Sequence, residues 1–390
     1  MRLYLTAVNP TDSVLDGFLP AAASLGLPVT VLTDQPENWP AVRAEVAGCD
    51  VRDLRAVIEA VSGGERPAGL LSNSDHLQTV TAQAASYLDL PGKDWRATMR
   101  CKDKNLTRRT LADAGLDKVA AVALGPSGDP GLAGTVPFPA VVKPREGVAS
   151  EDAYLVADAA ELAARVAEIR LRRPGATLVV EEFLAGELRT FDTLGDGRSL
   201  AVTGGWHTSL SAPPTFVETA LDWAPDLPAG VVADLRAQLG ALGAGFGACH
   251  TEFVVSDGRA RLIEVNYRLI GDRMDLILAE LLGVPLFEYV IRLHMGEPLA
   301  AMPLPDPAAV SRHARVEYVC AERAGTLRSA PGAVDAGGVS CRPLRTVGTT
   351  AELTGTNRDY LAVLHAIGDS RAAAEAALGA FRSANSWEIV

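Results

Sequence analysis

Lysine is scarce in this chain. Of 36 lysines and arginines in 390 residues, only Lys93, Lys102, Lys104, Lys118 and Lys143 are lysine, and none follows Lys143. Such a bias is first of all compositional. It still singles out the survivors, because arginine does not always replace a compact ammonium charge. Aromatic residues are few, at 5%. The five cysteines (Cys49, Cys101, Cys249, Cys320, Cys341) form no CxxC pair. That excludes a zinc site of the usual spacing and a disulfide framework, and points to a reduced, cytoplasmic setting. No segment approaches the roughly 20 apolar residues of a membrane span, and the apolar start is too short for a signal peptide. With a net charge of −12 and a pI near 5.1, the chain has no basic footprint for nucleic acid. Neither GxGxxG nor GxxxxGK[ST] occurs, so no dinucleotide fingerprint and no P-loop can be assigned.

What remains is a globular composition, 48% apolar and 22% charged, long enough for two or three domains. Residues 2–8 read as a buried strand, followed by a turn with a helix cap at 9–13. A helix closes at Gly26, and Val29–Leu32 forms a second strand, which makes a βαβ unit and a parallel sheet. Ala68–Leu71, followed by a helix over 76–87, repeats the step, so the first 95 or so residues read as Rossmann-like. Residues 100–115 read as one helix with a basic face. Strands follow at 140–143, 178–183 and 188–194, and a hairpin at 248–266. Helices are expected over 159–171, 229–243, 272–282, 286–295 and 370–381.

The strongest chemical signal is Leu262-Ile263-Glu264-Val265-Asn266-Tyr267-Arg268. Alternation along a strand puts Glu264 and Asn266 on one face and sends Ile263 and Val265 to the core. The preceding strand alternates likewise, with His250, Glu252 and Val254 on one side. Two carboxylates and an amide oxygen make a hard-oxygen set suited to Mg²⁺, which prefers a few carboxylates plus substrate phosphates. The set requires a particular register. A two-residue Asp257-Gly258 turn pairing Ser256 with Arg259 would part Glu252 from Glu264 unless a bulge intervenes. Two weaker signals accompany it. Lys143 ends an apolar strand before the small-residue loop Arg145-Glu146-Gly147-Val148-Ala149-Ser150, a way to hold phosphates. Leu178–Glu187 ends an apolar strand in acids, able to offer backbone to a base and carboxylate to a ribose.

The order of these signals resembles the ATP-grasp superfamily. Lys102-Asp103-Lys104 opens a helix ending at Ala114-Gly115. Val142-Lys143-Pro144 with its loop follows, then Glu181-Glu182-Phe183-Leu184 with Glu187, then Glu252, then Glu264–Arg268. Phe216-Val217-Glu218 and the stretch from Asn357 to Phe381 are similar to the L-amino-acid (dipeptide) ligase-like carboxylate–amine ligases. Two departures stand out: Tyr267 occupies the usual proline position, and the loop is less rich in glycine and serine.

The resemblance implies an α/β and α+β architecture. A Rossmann-like domain (1–97) precedes an ATP-grasp domain of two α+β subdomains (98–300), and a small α+β subdomain (301–390) follows. It implies ATP with one or two Mg²⁺, Mn²⁺ being the alternative ion. Lys104 and Lys143 would meet the phosphates under Gly147 and Ser150. Glu181, Glu182, Phe183 and Leu184 would border adenine, and Glu187 would bind ribose. Glu252, Glu264 and Asn266 would hold metal. Arg268, with Lys143, would serve catalysis. The implied activity is an ADP-forming ligase joining a small carboxylate to an amine, an amino acid on at least one side, in natural-product or siderophore assembly, with a homodimer as the expected state. The rivals are another ATP-grasp enzyme (kinase-like, or a purine or bicarbonate carboxylate ligase), a non-catalytic ATP-binding module, and a Rossmann oxidoreductase.

Six further residues, in four groups, have two readings each. His250 is a substrate contact or a hydrogen-bonded structural histidine. Trp206 and His207 line the acceptor pocket or belong to a surface loop. Arg273 grips a substrate carboxylate or bridges to Asp272 or Asp275. Ser74-Asp75 is left between a substrate contact and a helix cap.

Overall fold

Residues 2–72 alternate strand and helix, the strand Glu45–Gly48 and the helix Leu54–Ser62 adding to the expected elements, in a computed structural model that describes residues 1–390. Arg2–Thr6 lies between Val29–Thr33 and Pro67–Ser72, with Glu45–Gly48 at the edge, all parallel. Strands buried on both faces carry continuous apolar runs, as Leu3, Leu5, Val29 and Val31 do here. The helix after the first strand starts as a π-helical turn, Ser13–Phe18, and continues as Leu19–Ser24. Asp12 makes no side-chain cap there; its carboxylate instead accepts from Arg273 and Arg342.

The single helix expected over 100–115 is two, Trp95–Lys102 and Lys104–Asp113. Asp103 separates them. It has extended backbone, and its carboxylate accepts from the N–H groups of Asn105 and Leu106 at 2.9 and 3.0 Å. An aspartate satisfies the free donors of a helix start better than it sustains a helix interior, so the break falls between the two lysines.

Two sheets enclose the space beyond. An antiparallel sheet runs Ala121–Leu124, Leu178–Glu182, Ala140–Pro144, Tyr154–Val156, and the helix Ala159–Arg172 packs on it. The larger sheet has ten strands and begins Arg259–Asn266, Phe246–Ser256, Leu188–Asp196, Trp206–Leu210, Glu218–Trp223. It continues without a break through His313–Cys320 and Tyr360–Gly368. Leu178–Glu182 and Leu188–Asp196 thus belong to different sheets, and residues 183–187 cross between them. No helix is long and apolar enough to cross a membrane.

One core joins the first sheet to the rest. Leu3, Leu5, Phe18 and Val31 share a buried cluster with Met274, Leu278, Phe287 and Ile291. A Cβ at Gly17 would stand 2.3 Å from the Phe287 ring, so glycine is what lets the N-terminal helix close on the helix Leu286–His294. Trp206 lies in this core too. It is fully buried and meets the Trp223 ring edge-on at 5.2 Å, so it does not line an acceptor pocket. Its strand begins at a β-pairing with Trp223, and the large apolar ring fills the space behind the sheet. Trp206→Ala is therefore expected to cost about 3–5 kcal/mol of stability, while His207→Ala, on the partly exposed side, stays within about 0.5 kcal/mol. Urea denaturation of both variants checks this.

Candidate active site

The hairpin Phe246–Ser256/Arg259–Asn266 builds the acidic face by a change of phase. Ser256 pairs directly with Arg259 around the two-residue turn, the register that by itself would separate the carboxylates. A β-bulge then intervenes, so that Phe253 pairs with Leu262 but Glu252 pairs with Glu264. Ile263 is the extra residue. It leaves the core and lines the same cavity as Glu252 and Glu264, which corrects the expectation that it points inward. Val265 does point inward, 3% exposed. Asn266 Nδ2 donates to Glu252 Oε1 at 3.2 Å, so all three expected metal residues share one face.

Their chemistry fits Mg²⁺. Burial first, then the neighbouring Glu264, push the Glu252 carboxyl up, and a cation between the two partly buried carboxylates would keep both ionised. No group of three or more His, Cys, Asp and Glu side chains is arranged for a metal. The remaining positions would fall to phosphate oxygens and water, as magnesium prefers.

Opposite this face stand the lysines. Lys104 Nζ donates to Glu264 Oε1 at 2.9 Å and to the Gly147 carbonyl at 3.1 Å. Lys143 Nζ pairs with Glu181 Oε1, and Arg108 Nε with Glu181 Oε2 at 2.9 Å. Arg108 also donates to the Leu262 carbonyl at 2.5 Å, which ties the helix to the hairpin. Burial alone would raise the Glu181 carboxyl, but Arg108 and Lys143 outweigh it and pull it down to about 2. Arg108 was not among the expected site residues. Its place four residues after Lys104, on the same helix face, is the signal that could have found it.

A cavity of about 290 Å³ lies between the two sheets. Lys104, Lys143, Gly147, Ser150 and the segment Glu181–Leu184 line it, with Leu210, Phe216 and Ile263 among its apolar walls. The rings of Phe183 and Phe216 are 6.4 Å apart. The N–H of Phe183 is used by Pro139 O, whereas that of Leu184 makes no hydrogen bond within the protein and is available to a base edge. The Glu182 carboxylate turns to Arg261 at 3.1 Å. Glu187 is not part of the cavity wall; it is 77% exposed and 4.0 Å from His207. Trp206 and His207 lie outside the wall as well.

The loop over the cavity is tied down. Ala149, Ser150 and Asp152 have φ near +55°, uncommon for residues with a Cβ. The contacts that hold them are ionic. Glu151 pairs with Arg358 and with Arg173, and Asp152 with Arg172 and Arg173. Asn357 N–H donates to Ala149 O at 3.2 Å. The Asn357 side chain accepts from the Glu218 N–H at 3.1 Å. Glu218 is a cavity residue whose carboxyl is pushed up to about 8 by burial, then Glu252 and Asp272.

Arg268 reaches across to the first sheet. Its Nε and Nη2 donate to Asp75 Oδ2 at 2.8 and 2.5 Å, and Asn73 Oδ1 accepts from Leu269 N–H at 3.1 Å. Asp75 follows the C-terminal end of a parallel strand, where such sheets place ligand-facing residues. Asp75 thus orients Arg268 rather than capping a helix. His250 is buried, with Nδ1 2.6 Å from Asp192 Oδ1 and Nε2 3.8 Å from Glu252 Oε1. Burial would lower its pKa, but Asp192 raises it overall. Arg273 is outside the site. It bridges to Asp12 and Asp16 at 3.0 and 3.1 Å, not to Asp272, Asp275 or a substrate position, because its left-handed backbone turns it toward the first helix.

No family model matches the chain. It is 27% identical, over its whole length, to an uncharacterized protein of Sinorhizobium fredii, covering 84% of that protein. It is 28% identical over 74% of its length to carnosine synthase 1 of Gallus gallus, of which it spans about a third (34%). Among solved structures, an L-amino acid ligase from Bacillus licheniformis superposes with a TM-score of 0.83 at 20% identity, covering 100% of this chain and 99% of the other. Phosphoribosylglycinamide synthetase from Anaerococcus prevotii superposes with a TM-score of 0.73 at 13% identity, over 100% and 99% of the two chains.

Two outcomes follow from this geometry. The depressed Glu181 carboxyl contributes about 3 kcal/mol above pH 4.5, lost as pH falls toward 2. Glu181→Gln leaves Lys143 and Arg108 buried without their counter-charge and is expected to cost about 3–5 kcal/mol at pH 7, with a shallower acid-side loss; denaturation at a series of pH values reads both. Ile263→Ala should weaken any ligand that fills the cavity, with MgATP as the probe, about tenfold, since its side chain belongs to the cavity wall, while Val265→Ala should mainly lower stability, by about 2 kcal/mol. Calorimetric titration and thermal melting separate the two effects.

Proposed function

We propose that this chain, which carries the ATP-grasp fold, is a magnesium-dependent ligase that joins a small carboxylate to an amine and forms ADP and phosphate. The observation that carries the reading is the bulged hairpin. It sets Glu252 and Glu264 on one face of the cavity that Lys104 and Lys143 enter from the other side, with Asn266 bonded to Glu252 behind them. Opposed acids and ammonium groups around an enclosed space suit a polyphosphate and its cation. The likeness to an L-amino acid ligase and to carnosine synthase supports an amino acid on at least one side of the new bond. We read residues 1–97, 98–300 and 301–390 as the working units, in a cytoplasmic protein with free cysteines, acting in natural-product assembly.

In this reading adenine lies against Phe183 and Leu184, with the Leu184 N–H facing its edge. Magnesium, held by Glu252, Glu264 and Asn266, would supply charge neutralisation on the phosphates. Lys104 and Lys143 neutralise charge on the transferred group. A carboxylate oxygen attacks the γ-phosphorus, the bond to the ADP oxygen breaks with its electron pair, and an acyl-phosphate results. The amine nitrogen then attacks the acyl carbon. Phosphate departs with the C–O electron pair and one former carboxylate oxygen, and the nitrogen's surplus proton passes to phosphate or solvent. Arg268, held by Asp75, stabilises the oxyanion between these events. The tied-down loop keeps water from the acyl-phosphate.

Phosphate release should require MgATP, a carboxylate and an amine together across a matrix of L-amino acids. A phosphorylated product formed without amine would point instead to a kinase-like enzyme, and nucleotide binding without turnover to a binding module. Glu264→Gln should lower turnover at least about 100-fold with the fold intact, and Lys143→Arg should do the same, because a guanidinium does not fit the place of a buried ammonium. Steady-state kinetics and circular dichroism of both variants check this.

A further inference from the structure

Lys102 is a buried cation that nothing in the fold answers. Four of the five lysines reach into the interior, and three of them have partners there. Lys93 Nζ donates to Gln78 Oε1 at 2.6 Å and to Tyr267 O at 2.5 Å. Lys104 meets Glu264 and Gly147 O, and Lys143 meets Glu181. Lys118 is exposed. Lys102 Nζ is buried and makes no hydrogen bond. An ammonium hidden from water without acceptors is costly, and native structures leave such groups open only for a reason.

Its surroundings say what it faces. Lys102 ends the helix Trp95–Lys102, immediately before the Asp103 cap. The charged groups acting on it are Asp75 and Glu264, which favour its ammonium, and Lys104 and Arg268, which oppose it together with burial, the largest influence. Both acids are already engaged. Asp75 Oδ2 accepts two bonds from Arg268, and Glu264 Oε1 accepts from Lys104. Lys102 therefore feels both the Arg268–Asp75 pair and the Lys104–Glu264 pair, with no carboxylate of the protein bonded to it. It is also absent from the wall of the nucleotide cavity, which Lys104 and Lys143 line.

We propose that Lys102 is a substrate-binding residue whose ammonium takes an oxygen of the reacting acyl group, on the carboxylate before phosphoryl transfer and on the acyl-phosphate after it. The inference rests on the ligase reading above and adds a residue that reading does not use. Lys104, Lys143 and Arg268 each have a protein carboxylate to balance them. Lys102 alone depends on the ligand for its counter-charge. The same oxyanion chemistry has two sources, phosphoryl or carboxyl oxygen, and the test separates them.

With only five lysines in the chain, uniform [13Cε]lysine labelling yields five side-chain signals, assigned by single Lys→Arg substitutions. MgADP alone is expected to move the signals of Lys104 and Lys143. Orthophosphate added to the MgADP-loaded protein should then move Lys102 if it takes phosphoryl oxygen. A mixture of the standard L-amino acids, added with a non-hydrolysable MgATP analogue, should move it if it takes carboxyl oxygen. In calorimetry, Lys102→Met should weaken the ligand that moves the signal about tenfold and Lys102→Arg less, both leaving MgADP affinity within about twofold. A Lys102 signal unmoved by either addition, while Lys104 and Lys143 respond to MgADP, overturns the proposal and leaves the ligase reading standing. Indifference of Lys104 and Lys143 to MgADP overturns the nucleotide assignment, and this proposal with it.

Discussion

The arrangement depends on one irregularity in one hairpin. A two-residue turn fixes the pairing of Ser256 with Arg259. In a regular ladder every later pair would follow from it, and Glu264 would share the core face with Leu262. The bulge at Ile263 resets the alternation, so Leu262 and Val265 stay in the core while Glu264 and Asn266 face Glu252. Core packing and acidic face are thus both satisfied by one inserted residue. The same insertion gives the cavity an apolar wall residue beside its acids.

Charge is balanced around that face in pairs that each span two parts of the chain. Glu264 meets Lys104 from the helix after Asp103. Glu181 meets both Lys143 and Arg108, and Arg108 continues to the Leu262 carbonyl. Arg268 meets Asp75 of the first sheet. Burying the cations, as burial's lowering of the Lys143 pKa shows, offsets much of what the ionised carboxylates contribute. The effect of the pairs is positional: they hold Lys104 and Lys143 at the cavity wall and tie Arg108 and Arg268 to the backbone at Leu262 and Leu269. The loop above is fixed in the same manner, by Arg172, Arg173 and Arg358 on Glu151 and Asp152.

The order of elements and the acidic hairpin were legible in the sequence, because strand alternation and strand-ending lysines are local patterns. So was the requirement for a bulge, which follows from the parity of the turn, although its position does not. What escaped depends on contacts far apart in the chain. Asp75 and Arg268 are separated by 193 residues, and nothing near either names the other. Trp206 has a polar neighbour and two glycines before it, yet faces Trp223 in the core. Arg273 stands five residues after Arg268 but is turned by a positive φ toward Asp12. The lysine scarcity had more in it than its first reading, since Lys93 and Lys102 join Lys104 and Lys143 in the interior and only Lys118 remains at the surface.

The central claim is that a carboxylate is activated by phosphoryl transfer before an amine attacks it. The most direct measurement follows oxygen. A carboxylate substrate labelled with 18O at its carboxyl group is turned over with unlabelled MgATP, and the released phosphate is examined by mass spectrometry. The account predicts one 18O in each phosphate formed, together with ADP. Unlabelled phosphate, or label retained wholly in the acyl product, would contradict it.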